Sequence, residues 1–248
     1  PAQPKSLPEP GERPRVAPLL RAWLAQRAPA DRAAAAGRFD AELLDAARAG
    51  LSGGPDAARA VVRALAADGG GLPGLATRLS PELQELAAHP DPGLRAAAVQ
   101  LLGQQSDAGA REAVERALAD VDAQVRGAAL GVLSRSDEPR AASSVARIAL
   151  QDERWWMRKR AVETLGEQGA VGAVATLDRV LAQDPFAYVR EAAVEALLRV
   201  GQARTCAGAQ RCALDAARAA LQRAVADPEP RVAQRARAAL ARLAEPVN

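Results

Sequence analysis

A motif that returns about every 32 residues dominates the second half of this chain. Each copy has an apolar residue followed by arginine, then an alanine-rich stretch, with a leucine seven residues after the arginine. The arginines of the first four copies are Arg95, Arg126, Arg158 and Arg190, which are 31, 32 and 32 residues apart. A fifth copy at 227–241 has Ala233 in the arginine position, 43 residues after the previous one. A fixed period of this kind is the signature of a repeat architecture.

The apolar positions within each copy recur at helical spacing. In the second copy, Val125, Ala129, Val132 and Leu133 follow the i, i+4, i+7, i+8 pattern of one helix face. Between the copies lie further amphipathic stretches, at 111–119, 142–150 and 173–182. We therefore predict a unit of two helices joined by a short turn. Its apolar faces are too small to be buried within one unit, so neighbouring units must stack.

A second recurring position lies six residues before the arginine. It is occupied by His89, Asp120, Asp152, Asp184 and Asp227. A carboxylate in such a turn can accept the N–H groups that lack partners at the start of the next helix. We therefore interpret the recurring aspartates and arginines as a structural ladder along the repeats. His89, the only histidine, is interpreted as a turn-capping residue rather than a catalytic or pH-sensing one.

The order of aspartate, valine-arginine, paired alanines and leucine resembles the HEAT repeat. The short period is similar to that of phycobilin lyase subunits and of many bacterial scaffold proteins. The resemblance covers residues 80–244 and implies an all-α fold, a right-handed α-solenoid with about five clear repeats. The chain departs from the pattern at His89, at Ala233, and at Arg160 and Arg235, where the other copies have alanine. HEAT arrays carry many unrelated roles, so the resemblance implies a fold and leaves the function open.

The chain is predicted to have four parts. They are a proline-rich disordered spacer (1–15), a helical N-terminal part (16–79), the HEAT-repeat array with an insertion near 202–212 (80–244), and a short tail (245–248). The sequence DGGGLPG at 68–74 is the best candidate for a boundary. The N-terminal helical part is interpreted as a cap or degenerate repeats, with a separate small helical domain as the alternative.

The composition offers no catalytic constellation. One histidine and two cysteines leave no zinc-binding set and no Ser-His-Asp arrangement, so we predict no catalytic residue, no metal and no cofactor. The net charge is only +3, and all but Lys5 and Lys159 of the 33 basic residues are arginines. This excess of arginine and alanine is typical of a GC-rich genome. A dedicated duplex binder carries a stronger and more clustered positive charge, so we do not expect a nucleic-acid partner.

Cys206 and Cys212 both lie in the predicted insertion. On a continuous helix they would be separated by a rise of about 9 Å, too far for a disulfide, whereas a bend at Gly208 would bring them together. We predict a disulfide, and with it an oxidising compartment. Together with the proline-rich start, this favours a periplasmic or outer-membrane-tethered protein whose only membrane contact is an anchor preceding the chain; a cytoplasmic location is the alternative. No apolar run approaches the roughly 20 residues of a membrane-spanning helix.

The chain has few aromatic residues, yet several coincide in neighbouring repeats. We predict a partner-binding edge made of Trp155, Trp156, Phe186, Tyr188, Arg154 and Lys159. Trp156 and Tyr188 hold the same repeat position, so they should lie side by side at the helix-packing distance of about 8–10 Å. Aromatic rings beside arginines are typical of binding hot spots. For either tryptophan taken alone we favour core filling, and for the whole cluster a binding edge. Met157 occupies an apolar position and is predicted to be core.

Three functions remain open at this stage. The first is a non-catalytic scaffold or adaptor of the bacterial cell envelope that binds a protein or peptide through its repeat surface. The second is a nucleic-acid-binding protein related to DNA alkylation-repair glycosylases, which have HEAT-like repeats. In that family an aspartate follows the tryptophan pair, whereas Met157 follows it in this chain. The third is a lyase or chaperone-like subunit, suggested by the repeat type alone.

Overall fold

The computed structural model describes most of the chain after residue 43. The described residues are 44–45, 47–67, 75–135, 141–169, 171–202 and 207–244. Their regular structure is entirely helical and includes no strand, which confirms the predicted all-α class. The chain divides into two compact units, Pro1–Val114 and Glu115–Asn248. The predicted terminal segments at 1–15 and 245–248 lie outside the described residues, and so does the whole break at 68–74.

The first unit contains short helices packed around leucine and valine side chains. It includes the helices α1 (Pro55–Ala67), α2 (Leu75–Arg78), α3 (Ser80–Leu86) and α4 (Pro92–Leu102). Both α1 and α3 pack against α4. The start of α4 is set by Pro92 and by Asp91, whose side chain accepts the N–H groups of Gly93 and Leu94. A guanidinium from α1, that of Arg59, also pairs with Asp91 and lowers the pKa of that carboxyl group.

The second unit is a double layer of helices. Helix α5 (Ala108–Ala117) crosses the division between the units, and the chain continues through α6 (Ala123–Leu133), α7 (Ala142–Gln151), α8 (Trp155–Glu167), a 3₁₀ turn (Val171–Ala173), α9 (Val174–Gln183), α10 (Ala187–Gln202), α11 (Ala207–Ala224) and α12 (Pro230–Ala244). In one layer, α9 packs beside both α7 and α11. In the other layer, α6, α8, α10 and α12 pack in that order. Helices α7 and α8, α9 and α10, and α11 and α12 form the predicted helix pairs.

Small side chains let these helices pack closely. A Cβ atom added to Gly166 of α8 would lie 2.7 Å from the Cα atom of Ala196 on α10, so the two backbones nearly touch. Met157 is fully buried, as are Val125 and Val189 in the corresponding positions. Its predicted place in the core is confirmed. In the described part of the chain, no helix combines the length and apolar character needed to cross a bilayer.

The extra residues of the last repeat lengthen two helices. Helix α10 has 16 residues and α11 has 18, compared with 11 in α6 and 10 in α9. The expected bend at Gly208 is wrong, because Gly208 lies within α11. A run of alanines and long polar side chains from 207 onward favours helix over loop. Cys206 lies outside the described residues, so its disulfide with Cys212 stays a prediction.

Candidate protein-binding edge

In the second unit, the repeat arginines connect each turn to the next. Their Nε atoms donate to the aspartate of the following repeat: Arg126 to Asp152, Arg158 to Asp184 and Arg190 to Asp227, at 2.8, 2.6 and 2.8 Å. The Nη1 atom of each arginine also donates to the backbone carbonyl of the aspartate in its own repeat, at 2.8–2.9 Å. Each of these three arginines therefore binds two consecutive turns. This arginine-aspartate ladder holds the helix starts of successive repeats in register.

The ladder is largely shielded from water. Its paired carboxylates are 4–6% exposed and its arginine side chains 10–15% exposed. The hydrogen bonds to Asp184 and Asp227 raise the pKa of Arg158 and Arg190, against the opposing effect of burial. Burial alone would raise the pKa of Asp227, but the hydrogen bonds and positive charge of Arg190 and the N–H of Glu229 together lower it. Both members of the Arg190–Asp227 pair are therefore charged at neutral pH.

The same aspartates shape the turns. Asp120, Asp152, Asp184 and Asp227 each accept the N–H group two residues along, at 2.8–3.0 Å. These N–H groups belong to the turn. We had expected the aspartates to accept the first N–H groups of the helix itself. In the first unit, His89 Nδ1 accepts the N–H of Asp91 at 3.0 Å, and Arg95 donates to the carbonyl of His89 at 2.9 Å. The predicted turn role of His89 is confirmed.

The aromatic residues gather where α8 and α10 begin. Trp155 is the first residue of α8, and Phe186 and Tyr188 flank the first residue of α10. The Trp155 ring centroid lies 6.0 Å from that of Phe186, with the planes 20° apart, and 5.9 Å from that of Tyr188. Together with Trp156, these residues are 37–54% exposed. We call these four residues, Trp155, Trp156, Phe186 and Tyr188, the aromatic edge.

The structure differs from the predicted pairing of Trp156 with Tyr188. Trp155 lies against Tyr188, whereas the ring of Trp156 is covered by Arg154, whose Cζ atom is 5.8 Å from the ring centroid. Consecutive residues on a helix point about 100° apart, so only one of the two tryptophans can face the next repeat. Equal repeat position is therefore a poor guide to which side chains touch.

Charged groups surround the rings. The Cζ atom of Arg158 lies 5.6 Å from the Phe186 ring centroid, within the range of a cation–π contact. Lys159, which we predicted to contact a partner, is half-buried and paired with Glu163 one turn along α8. Arg154 is exposed, so it is the more accessible of the two predicted basic contacts.

A groove between α8, α10 and α12 extends from Tyr188. Its walls carry Lys159, Glu163, Tyr188, Glu191, Glu195, Arg199 and Arg235. The opposite charges across it are paired, as between Arg235 and Glu191 at 3.4 Å. Within the described ranges, no three histidine, cysteine, aspartate or glutamate side chains are grouped so that they could hold a metal ion. The arrangement presents exposed rings on a closely packed support, which suits binding.

The pairing of arginine with aspartate in the ladder has a signal in the sequence. The linked arginine and aspartate are 26 residues apart in two cases and 37 in the third, which is 26 plus the insertion. Opposite charges at a constant separation from one repeat to the next indicate a pair. The cation–π contact of Arg158 with Phe186 had no such signal, because it depends on where the turn before α10 places the ring.

Stacked helix pairs with a repeating turn define the class of α-solenoid repeat proteins. The family model described as HEAT repeats matches residues 79–150 and 117–198. Residues 79–198 of the chain therefore match the HEAT-repeat family.

Three solved structures are similar to this chain, each with a TM-score below 0.5. A designed armadillo repeat protein is 19% identical, with 94% of this chain and 100% of that chain covered and a TM-score of 0.46. The complex of CpcE and CpcF of phycocyanin lyase from Nostoc sp. PCC7120 is 21% identical, with 66% and 98% covered and a TM-score of 0.47. Human deoxyhypusine hydroxylase is 21% identical, with 81% and 88% covered and a TM-score of 0.43. Among curated proteins, none matches the chain in sequence.

Proposed function

We propose that this chain is a non-catalytic scaffold that binds another protein through the aromatic edge. The observation that carries the proposal is the grouping of exposed rings. Among the described residues, the exposed large hydrophobic side chains are Val121 and the four residues of the edge. A soluble protein loses stabilisation by leaving such side chains in water, and clustered exposed apolar groups mark interaction sites.

The rings are held in place before any partner arrives. Phe186 contacts both the ring of Trp155 and the guanidinium of Arg158, and that guanidinium is itself fixed by two hydrogen bonds to Asp184. Side chains that are already ordered lose little conformational entropy on binding, so more of the contact energy remains as affinity. Tryptophan, tyrosine and arginine are also the residues most enriched at binding hot spots.

Core filling does not account for the edge. Met157, only one residue after Trp156, is fully buried and fills the space between the repeats. The aromatic rings instead leave between 37 and 54% of their residues' surface in solvent. Three of them, Trp155, Phe186 and Tyr188, contact a ring from the adjacent repeat, yet all four lie at the surface where helices α8 and α10 begin.

The test replaces Trp155 and Tyr188 together by alanine. The matched control is Val121→Ala, which removes an exposed apolar side chain outside the edge. Wild-type protein would be used to capture its partner from extracts of the native cells, and the purified partner would then be titrated against all three proteins. Loss of two hot-spot contacts should weaken binding by at least about 30-fold. Equal affinity of the double variant and the control would contradict the proposal.

We also propose that the protein acts in the bacterial cell envelope. This part rests on the pair Cys206 and Cys212 and on the proline-rich start of the chain. The intact mass after thiol alkylation, measured with and without reductant on protein isolated from its own cells, tests it. Two reactive thiols in the absence of reductant would contradict an oxidising compartment.

A further inference from the structure

We infer that the partner presents an extended acidic segment, which lies along two hollows at the turns of successive repeats and leads to the aromatic edge. This inference rests on the proposed function and names the class of partner. It follows from the repetition of the hollows, from their continuity with the aromatic edge, and from the unpaired groups that line them.

The same hollow occurs in two successive repeats of the second unit. The first is lined by the C-terminal ends of α5 and α7 and has a volume of about 310 Å³. The second is lined by the C-terminal ends of α7 and α9 and has a volume of about 520 Å³. Each of the seven residues that line the first hollow has a counterpart 32 positions later in the lining of the second, as Arg147 has in Arg179. A hollow that returns with the period of the repeat suits a ligand that runs along the array.

The two hollows are continuous with each other and with the aromatic edge. Gln151 and Asp152 line both hollows, and Phe186, which belongs to the aromatic edge, lines the second. Gln151 is the last residue of α7, and Asp152 and Phe186 lie in the turns before α8 and α10. A peptide whose apolar residues contact the aromatic edge can therefore continue along both hollows on the same surface.

Each hollow contains an arginine without a partner. Arg147 and Arg179 are exposed, and neither forms a hydrogen bond or ion pair with another described residue. Other cations of the unit, in α8 and α10, lie within 4 Å of a carboxylate one turn away on the same helix. One turn after Arg147 and Arg179, helices α7 and α9 have Gln151 and Gln183 instead of a carboxylate. The two guanidinium groups are therefore available to the carboxylates of a partner.

The hollows also offer the groups that an extended backbone needs. Gln151 and Gln183 are exposed, and their side-chain amides make no hydrogen bond in the described part of the chain. Each amide has donors and an acceptor, so it can bind both the carbonyl and the N–H of a peptide. The last carbonyl groups of α7 and α9 have no partner within their helices and are further acceptors for peptide N–H groups. An extended segment, whose own backbone groups are unpaired, can use both kinds of site.

The carboxylates in the hollows do not cancel the two arginines. Asp152 and Asp184 are 5% and 4% exposed, and both are bound by arginines of the ladder. Glu153 lines the second hollow, is exposed, and forms no ion pair with another described residue. It therefore offsets one of the two free positive charges. The balance favours an acidic peptide over a basic one, and removal of the charge on Glu153 should strengthen binding.

A single strand of nucleic acid fits the same surface less well. Such strands bind in a positively charged groove and stack their bases on aromatic rings, which the aromatic edge could supply. Glu153 and the partly negative C-terminal ends of α7 and α9 would oppose a phosphate on every residue of the strand. A peptide needs carboxylates only at the two arginines, and it donates N–H groups to the helix ends. The experiment includes an oligonucleotide for this reason.

Four labelled probes test the inference by fluorescence anisotropy. The first is a synthetic peptide with a pair of leucines followed by a stretch in which aspartate alternates with serine, so that no register along the hollows has to be assumed. The second peptide has asparagine in place of each aspartate, and the third has serine in place of each leucine. The fourth probe is an oligothymidylate.

The test variant is Arg147→Gln, Arg179→Gln. Its matched control is Arg237→Gln, Arg242→Gln, which removes two exposed arginines of α12 that form no ion pair with another described residue. The wild type and the control should bind the first peptide equally, and the test variant about 5- to 30-fold more weakly. The second peptide should bind the wild type about as weakly as the first binds the test variant. Glu153→Gln should bind the first peptide about two- to fivefold more tightly than the wild type does.

Equal affinity of the test and control variants for the first peptide would overturn the inference. So would equal affinity of the wild type for the first two peptides, no saturable binding of any peptide, or tighter binding of the oligothymidylate than of the first peptide. Circular dichroism of each variant confirms its folding before binding is compared.

The third peptide separates a failure of this inference from a failure of the proposed function. If loss of the leucines weakens binding to the wild type but not to the Trp155→Ala, Tyr188→Ala variant, the aromatic edge binds apolar groups. The proposed function then stands even where the arginine variant has no effect, and only the acidic class of partner is wrong. If the arginine variant weakens binding and the aromatic variant does not, the hollows bind the peptide and the role of the aromatic edge is wrong.

Discussion

Replacing Asp184 by alanine should destabilise the second unit by about 3 kcal/mol, at the low end of the roughly 3–5 kcal/mol found on breaking a buried ion pair. The two carboxylate oxygens of Asp184 accept from Nε and Nη2 of Arg158 at 2.6 and 3.1 Å, and one also accepts the N–H of Phe186 at 2.9 Å. The alanine would leave Arg158 charged and nearly buried. Its remaining hydrogen bond to the carbonyl of Asp152, at 2.8 Å, is the reason to expect the low end of that range.

Urea unfolding followed by circular dichroism at 222 nm measures this loss. Tryptophan fluorescence provides a second probe, because Trp155 and Trp156 are the first two residues of the helix that carries Arg158. In thermal unfolding the same change should lower the melting temperature by about 6–12 °C, at 2–4 °C per kcal/mol for a chain of this size. The matched control is Glu195→Ala, which removes a half-exposed partner 3.8 Å from Arg199 and should change the free energy of unfolding by less than about 0.5 kcal/mol.

A double-mutant cycle separates the ion pair from the loss of a side chain. Arg158→Met removes the charge that Asp184→Ala leaves unpaired, so the double variant should be more stable than the sum of the two single effects implies. Additive effects, or an Asp184→Ala variant no less stable than the Glu195→Ala control, would refute the stabilising role of the ladder.

Three further outcomes are expected. Since the folded-state pKa of Asp227 is lowered, its ion pair stabilises the fold fully above the unfolded pKa of about 4 and is lost as the pH falls through the folded value. The difference in the free energy of unfolding between wild type and Asp227→Asn, measured by urea unfolding, should therefore be largest at pH 7 and should disappear in acid. Gly166→Ala should destabilise by about 1–3 kcal/mol because its new Cβ atom would overlap Ala196, while Gly127→Ala, which has room, should stabilise by up to about 1 kcal/mol; equal effects would contradict the close helix approach. His89→Ala should cost about 1 kcal/mol and His89→Asp much less, because only the aspartate restores an acceptor for the turn N–H; thermal unfolding of both variants checks this.

Much of the fold could be predicted from the sequence because its determinants are local. The 32-residue period, the apolar spacing in each copy and the alanine content all act within one helix pair, and they correctly indicate paired helices and a core position for Met157. The recurring residue before each helix also predicted a turn role, and His89 fills it with a ring nitrogen where other repeats use a carboxylate. None of these inferences needed the distance between two repeats.

The contacts between repeats were decided only by the tertiary structure. Sequence position suggested that Trp156 would meet Tyr188, yet Trp155 does so, because the rotation of α8 about its axis selects which ring faces α10. The contact of Arg158 with Phe186 likewise depends on where the turn before α10 places the ring, whereas the constant separation of arginine and aspartate in the sequence does indicate the pairs of the ladder. Helix formation depends on neighbours three and four residues along the chain. Side-chain pairing across repeats depends on the angle and offset at which two helices pack, and a small change in either selects a different residue.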